Sequence, residues 1–315
     1  MADAVVIGAG PNGLVGANLI AEAGWDVVVL EAQDEPGGAV RSGELTQPGY
    51  IHDRFSAFYP LAVASPVMQA MELERWGLRW ARHPVVAADQ GEDGRAVVLS
   101  PSLEETCASL EADAPGDGEA FARWYADWTR IADKLIDALT SPFPPVRPGA
   151  RLAAALGPRG LLEFARLGVL PVRRFSEEQF RGDGAARLFA GNAGHTDFSP
   201  EQPGSALFGC VLVGLAQQHG FPCAAGGAQE LTAALVRRLV AHGGRLECGQ
   251  RVERIVVRGR RAVAVRTAAG QELPVRRAVL ADVGALQLYE SLLDPSDVPA
   301  RLRDALRRFQ YDAGT

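Results

Sequence analysis

The sequence predicts an α/β fold in which a doubly wound, largely parallel sheet is interrupted by a mainly helical insert. Three observations lead to this prediction: apolar strand patterns near the start, a long central stretch with helical periodicity, and alternating strand patterns again near the end. The 315 residues are enough for about two domains. We therefore expect a sheet domain that is split in sequence and a helical domain inserted into it.

The first predicted unit is a strand, a helix and a second strand. Ala4–Ile7 and Val27–Leu30 are short apolar runs, as in strands buried on both faces of a parallel sheet. Gly24 is a typical stop for the helix between them. The apolar residues expected to share the buried side of that helix are Leu14, Val15, Leu19 and Ile20.

A glycine-rich motif joins the first strand to the helix and reads Gly8-Ala9-Gly10-Pro11-Asn12-Gly13. Its position between a strand and a helix makes it predictive of a dinucleotide-binding site of the Rossmann type. Gly8 permits a tight turn, Gly10 lets the backbone approach a pyrophosphate, and Gly13 lets the helix lie close to the strand. The start of the helix, at Pro11 and Asn12, offers free N–H groups to the phosphates.

Glu31 ends the second strand, eighteen residues after Gly13, and is followed by Ala32. A carboxylate at this position accepts hydrogen bonds from ribose hydroxyls and repels a ribose 2′-phosphate. We therefore include Glu31 and Ala32 in the predicted site and favour FAD or NAD over NADP.

A second glycine motif, Pro36-Gly37-Gly38-Ala39-Val40-Arg41, follows and places a glycine pair and an arginine where they can approach the same pyrophosphate. The run from Val5 to Arg41 resembles the flavin-binding fingerprint of the amine oxidase and phytoene desaturase superfamily. In that superfamily the extra glycine pair distinguishes flavin enzymes from plain NAD dehydrogenases. The resemblance implies FAD as the cofactor, with Gly37, Gly38 and Arg41 at its pyrophosphate.

Two further segments resemble one branch of that superfamily. They are Gly49-Tyr50-Ile51-His52-Asp53, with Ser56, Pro60 and Pro66 after it, and Gly220-Phe221-Pro222, with Gly226, Gly227 and Leu231 after it. Both are similar to the phytoene-desaturase-like branch that includes the pyridine nucleotide-disulfide oxidoreductase domain-containing protein 2 type. The resemblance implies that the backbone near Val252 meets the FAD adenine; a plain β-core role for Val252 is the alternative.

The resemblance also implies domain limits. We expect an FAD-binding domain at 1–50 and 223–290, and an incomplete substrate domain at 51–222 and 291–315. Family members continue past the point matching Thr315 into a last glycine-rich segment that faces the flavin, so the expectation is that this chain lacks the family's C-terminal part. Ala281-Asp282 departs from the small-polar and asparagine pair that often ends the matching strand.

The function implied is an FAD-dependent oxidoreductase that moves a hydride from a C–C or C–N bond of an apolar or amphipathic small molecule to the flavin. Two alternatives stay open: a truncated, catalytically incomplete dinucleotide-binding or partner-dependent protein, and an NAD-linked reductase. The catalytic residues are unknown at this point. His52 and Asp53 are the nearest candidates by position, although a histidine and an acid in a turn are more often structural.

The central stretch predicts helices. Its most regular apolar stripe consists of Phe121, Trp124, Tyr125, Trp128, Ile131, Leu135 and Leu139, at the spacing of one helix face. We interpret this stripe as core rather than as a substrate-binding surface. The four prolines within 140–149 predict a loop there.

Composition and charge argue against some classes of binding partner. A formal charge of -6 and the lack of base-reading motifs argue against a nucleic-acid partner. The four cysteines and five histidines show no metal-ligand spacing, and no secretory signal precedes the first strand, so we expect no metal, reduced and mostly buried thiols, and a cytoplasmic protein. Peripheral membrane contact and homo-oligomer formation stay open.

Overall fold

The structure is a computed structural model and describes residues 1–311. The strands are β1 (Ala2–Ile7), β2 (Val27–Leu30), β3 (Ser42–Glu44), β4 (Ile51–Asp53), β5 (Trp80–Ala81), β6 (Ala87–Gln90), β7 (Ala96–Leu99), β8 (Cys223–Ala224), β9 (Arg245–Glu247), β10 (Val252–Arg258), β11 (Arg261–Thr267) and β12 (Glu272–Ala281). The α-helices are α1 (Pro11–Glu22), α2 (Pro60–Ala64), α3 (Pro66–Ala70), α4 (Leu103–Asp113), α5 (Asp117–Thr140), α6 (Val146–Leu167), α7 (Val172–Gln179), α8 (Asp183–Ala193), α9 (Ser205–His219), α10 (Gln229–Ala241) and α11 (Ala300–Leu306). Short 3-10 helices lie at Leu73–Trp76 and Gly194–Thr196, and a π-helix lies at Gln287–Leu292.

The largest sheet has six strands in the order β10-β11-β12-β1-β2-β9. The four strands from β12 to β9 run parallel, whereas β10, β11 and β12 are joined as antiparallel neighbours. β1 therefore lies between β12 and β2, and the carboxyl ends of these three strands meet at one edge of the sheet. The predicted α/β fold with a parallel-rich sheet is confirmed.

The central strands are buried on both faces. On one face, Val5 and Val28 belong to an apolar cluster with Leu292 at the end of the π-helix. The next residue in each strand, Val6 in β1 and Val29 in β2, points to the opposite face and is fully buried as well. Strands buried on both faces read as continuous apolar runs, which is why β1 and β2 could be predicted.

Helix α1 buries a different side from the one predicted. Its buried residues are Gly13, Leu14, Ala17, Asn18 and Ala21, whereas Leu19 is 46% exposed. Small residues decide the orientation because they let the helix approach its neighbours: a Cβ on Gly16 would lie 3.2 Å from Leu280 Cδ2 of β12. The Asn18 side chain donates to the backbone oxygen of Leu235 in α10 at 3.0 Å. The prediction of a Leu14, Val15, Leu19 and Ile20 face was therefore wrong for Leu19.

The described residues divide into two compact units. The sheet unit contains Met1–Phe58, Met71–Ala81 and Cys223–Gln310. The helical unit contains Tyr59–Ala70, Arg82–Pro222 and Tyr311. Strands β5 and β8 pair antiparallel where the chain leaves the sheet unit and where it returns to it. This division differs from the expected domain limits, since 291–310 belong to the sheet unit. Which of these residues belong to an FAD-binding domain stays a prediction.

The helical unit has an aromatic core. Phe121 and Phe189 are fully buried at its centre, and the Trp124 ring lies edge-on to Phe189 at 4.8 Å between ring centroids. Trp128 and Leu135 of α5 are buried in a second cluster of the same unit. These residues of the predicted stripe are therefore core, as interpreted from the sequence.

The predicted apolar stripe of α5 is wrong at its last residue, and the loop predicted over 140–149 is wrong at its C-terminal end. Leu139, the last member of the stripe, is 57% exposed. Helix α6 begins at Val146, inside the segment predicted as a loop. Pro145 and Pro148 fall at the start of this helix, where a missing N–H costs no helical hydrogen bond, so prolines do not exclude a helix there. Across residues 1–311, no helix combines the length and the apolar character required to cross a membrane.

Gly214 provides a test of the packing in the helical unit. A Cβ added at Gly214 in α9 would lie 2.3 Å from Cε2 of the rigid, buried Trp128 ring. We expect Gly214→Ala to lower the free energy of unfolding by about 1–3 kcal/mol, as overpacking does. Thermal unfolding followed by circular dichroism measures the change.

Gly191→Ala is the matched control because a Cβ added at Gly191 in α8 would meet no atom within 4 Å. This variant should be as stable as the parent or more stable, by at most ~1 kcal/mol, since alanine favours helix. A Gly214→Ala variant as stable as the parent would show that the ring does not restrict this helix.

Candidate cofactor site

The turn between β1 and α1 brings three chain segments into close contact. Gly8 has a φ of 96°, and a Cβ on it would lie 2.5 Å from the backbone oxygen of Asp282, directly after β12. A Cβ on Gly13 would lie 2.4 Å from the backbone oxygen of Gly8. Both distances are too short for any side chain, so the sequence must have glycine at both positions for this turn to form.

Glu31 lies directly beside this turn. It is 9% exposed, and its Oε2 accepts a hydrogen bond from the Ala9 N–H at 2.8 Å while its Oε1 accepts one from the Gln33 N–H at 2.9 Å. The backbone holds it from the other side, because Gln250 N–H donates to the Glu31 carbonyl oxygen at 2.7 Å. Each carboxylate oxygen retains acceptor capacity beyond its one backbone donor. The position therefore suits an acceptor for ribose hydroxyls.

The second glycine motif packs onto the first. Gly37 N–H donates to the Ala9 carbonyl oxygen at 2.8 Å, and a Cβ on Gly38 would lie 3.2 Å from Gly10 Cα. Both glycines of the pair have positive φ, 124° for Gly37 and 55° for Gly38. Arg41 folds back on this loop, since its Nε donates to the Gly38 carbonyl oxygen at 2.9 Å. Two motifs that are separate in sequence thus form one surface.

A cavity of about 410 Å³ lies at this surface, entirely within the sheet unit. Its volume falls in the range of roughly 300–1,000 Å³ that is usual for small-molecule and cofactor sites. The predicted residues that line it are Gly8, Gly10, Pro11, Glu31, Ala32, Gly38 and Val252. Among the other predicted residues, Gly13 and Gly37 shape the turn behind the wall, Asn12 is exposed in the first turn of α1, and Arg41 lies next to Gly38.

Val252 lies at the start of β10 and has both roles considered for it. It is 6% exposed within the apolar cluster of the sheet, and it also lines the cavity next to Gln250 and Arg251. Assignment of Val252 to the cofactor stays a prediction.

Asp282 is the main residue of the site that the sequence did not reveal. It lines the cavity, and its Oδ2 accepts a hydrogen bond from the Gly13 N–H at 2.8 Å. Its backbone N–H donates to the Ile7 carbonyl oxygen at 2.8 Å, which continues the pairing of β12 with β1. The two partners lie 269 positions apart in sequence. The departure at Ala281-Asp282 from the usual small-polar and asparagine pair was the one signal available.

The residues present fit the adenosine diphosphate part of a dinucleotide. Gly10 and Gly38 line the cavity with backbone that carries no side chain, and the start of α1 supplies an amide at Asn12. The Glu31 carboxylate, beside the same cavity, supplies the acceptors that a ribose requires.

The acid and the histidine nearest to the site in sequence have structural partners. Asp53 Oδ1 accepts hydrogen bonds from the Ser42 hydroxyl and from the Ala228 N–H, both at 2.7 Å, so it stabilises the start of α10. His52 Nε2 is hydrogen-bonded to the Thr46 hydroxyl at 2.8 Å. These contacts agree with the structural interpretation of both residues, and no catalytic base is assigned.

The thiols are less buried than predicted. Only Cys210 is buried; Cys107, Cys223 and Cys248 are partly exposed. Partial burial raises the pKa of Cys248, and the carboxylates of Glu31, Asp34 and Glu35 raise it further. Cys248 is therefore a neutral thiol near pH 7.

Two relatives resemble the chain over most of its length. Hydroxyneurosporene desaturase of Rubrivivax gelatinosus is 29% identical over 297 residues, which are 90% of this chain and 54% of that protein. Pyridine nucleotide-disulfide oxidoreductase domain-containing protein 2 of Rattus norvegicus is 28% identical over 284 residues, 81% of this chain and 48% of that protein. The branch expected from the sequence is confirmed. The chain spans about half the length of these curated relatives.

A solved structure supports the fold. Wild-type putrescine oxidase bound to putrescine superimposes with a TM-score of 0.61 at 16% identity, covering 97% of this chain and 63% of that one. At this identity the likeness concerns the fold alone.

The family described as flavin containing amine oxidoreductase matches residues 12–315. The family is named for a flavin, so the prediction of FAD as the cofactor is confirmed at the level of the family. This chain belongs to the flavin-containing amine oxidoreductases.

Proposed function

We propose that the protein is an FAD-dependent oxidoreductase of the desaturase or dehydrogenase type. The observation that supports this most is the pairing of the Gly8–Gly13 turn with Glu31 at the wall of one cavity, in a chain that matches a flavin-containing family. A bound flavin supplies the redox chemistry, accepting a hydride from a C–C or C–N bond of the substrate.

Each part of the cavity wall has a role in holding the cofactor. Glu31 would bind the ribose hydroxyls of the adenosine, and the hydrogen bonds that it accepts from Ala9 and Gln33 keep its carboxylate in place. The backbone at Gly10 and Gly38, with the Asn12 amide, would hold the pyrophosphate. Arg41, next to Gly38, adds positive charge near that group. Val252, which lines the same cavity, would contact the adenine.

The substrate class follows from the relatives rather than from a residue in this chain. We propose an apolar or amphipathic small molecule because hydroxyneurosporene desaturase matches 90% of the chain. Oxidation of an amine is the second candidate, favoured by the description of the family.

Replacement of Glu31 tests the cofactor site. Glu31→Gln removes the charge and turns one acceptor oxygen into a donor that faces backbone N–H groups. We expect the Kd for FAD to rise by about tenfold to a hundredfold, the loss that corresponds to hydrogen bonds with a charged group. Titration calorimetry with FAD measures the change.

Asp34→Asn is the matched control because Asp34 is an exposed carboxylate three residues away that does not line the cavity. It should bind FAD as the parent does. Equal FAD affinity for Glu31→Gln and the parent would contradict the assigned role of Glu31, and thermal unfolding of both variants shows whether any loss arises from misfolding.

Flavin reduction tests the proposed reaction. When the FAD-loaded protein is mixed anaerobically with hydroxyneurosporene in detergent, we expect the visible flavin absorbance to disappear as the hydride is transferred. Putrescine in place of the polyene tests amine oxidation under the same conditions. Bleaching by the polyene alone supports the desaturase proposal, and bleaching by putrescine alone supports the amine candidate. Bound flavin that neither compound reduces would contradict both reactions while leaving cofactor binding intact.

A further inference from the structure

Asp282 places a carboxylate inside the proposed cofactor cavity. It follows β12 directly, and its backbone is held by Ile7 at the end of β1. A Cβ on Gly10 would lie 2.7 Å from Asp282 Oδ2, so the carboxylate lies against the glycine whose backbone is expected to face a pyrophosphate.

The same carboxylate uses one of the few amides at the start of α1. Pro11 has no N–H, and the Leu14 N–H donates to the Gly10 carbonyl oxygen at 2.9 Å. The Gly13 N–H donates to Asp282 at 2.8 Å. In the first turn of α1 this leaves the Asn12 amide for a phosphate oxygen, whereas an open helix start offers several.

The other charged side chains near the cavity do not cancel the negative charge of Asp282. Glu31 is a second carboxylate in the wall, while Arg251 supplies one positive charge there and Arg41 is directed toward the Gly38 carbonyl. An anionic diphosphate that enters therefore meets a like charge at the start of α1, where the helix dipole alone would attract it.

We propose that Asp282 is a specificity-determining residue with two effects. Its hydrogen bond stabilises the turn between β1 and α1, and its negative charge weakens the binding of phosphate-bearing ligands in proportion to their phosphate charge. This inference rests on the proposed function, because it takes the cavity to be the cofactor site. The hydrogen bond to Gly13 accounts for the first effect and the carboxylate charge for the second, so an uncharged side chain of the same shape separates them.

Asp282→Asn is that side chain, because its amide oxygen can still accept from Gly13. The probes are adenosine, AMP and ADP, titrated into the 315-residue chain and followed by calorimetry or ligand-observed NMR. We expect the variant to bind ADP more tightly by on the order of tenfold, AMP by less, and adenosine equally, since only the phosphates meet the missing charge. The gain for ADP should shrink at high salt, which screens the charge.

Two further variants make the test decisive. Asp34→Asn removes one negative charge outside the cavity and should leave all three affinities unchanged. Asp282→Ser, with a hydroxyl that can act as a helix-start acceptor, replaces Asp282→Asn if the latter does not fold. Its affinities for the three probes should follow the same order.

The results separate the two proposals. If the parent binds ADP and the uncharged variants bind it no better, or gain equally for adenosine, the role of Asp282 is overturned while the cofactor site stands. If neither the parent nor the variants bind ADP or FAD, the proposed function is overturned and the role of Asp282 with it.

Discussion

The close approach of three backbone segments at the end of β1 is the constraint on which the site depends. The turn at Gly8, the first turn of α1 at Gly13 and the residue after β12 lie so near to one another that a methyl group at either glycine would collide with a backbone oxygen. Parallel pairing of β1 with both β2 and β12 brings the ends of these strands to one edge. Residues from distant parts of the sequence can then act on one ligand at that edge.

Two acids stabilise this arrangement from opposite neighbours of β1. Glu31, after β2, binds the Ala9 N–H, and Asp282, after β12, binds the Gly13 N–H. Each satisfies a backbone donor that the turn leaves without a partner, which favours a fixed turn. Each also brings negative charge to a site proposed for an anionic cofactor. In the proposed cofactor site, the bond from Gly13 to Asp282 would stabilise the turn while the charge of Asp282 would lower the affinity for phosphate. The proposed ribose-binding role of Glu31 would benefit from the same fixed turn.

Local signals in the sequence predicted the parts of this site that lie close together in the chain. The βαβ unit, both glycine motifs and Glu31 fall within the first 41 residues, and strand burial and turn chemistry are visible in such a span. Asp282 was missed because its contact with Gly13 joins residues that lie 269 positions apart in sequence. β12 is one continuous strand although Arg276 and Arg277 interrupt its apolar pattern, and both arginines form ion pairs with Asp3. The side chain of Leu19 was misplaced because close helix packing favours small residues over large ones.

The helical unit shows why the substrate is harder to infer than the cofactor. A dinucleotide is recognised by backbone geometry and by one acid, and both leave a pattern in the sequence. An apolar substrate is recognised by side chains that resemble core residues in composition. Phe121 and Trp128 illustrate the difficulty, because a helical stripe of aromatic residues is compatible with either role and the structure buries these two. Side chains that contact a substrate therefore lie outside that buried face. Reduction of a bound flavin by a chosen compound identifies the substrate more directly than the residue pattern of the sequence does.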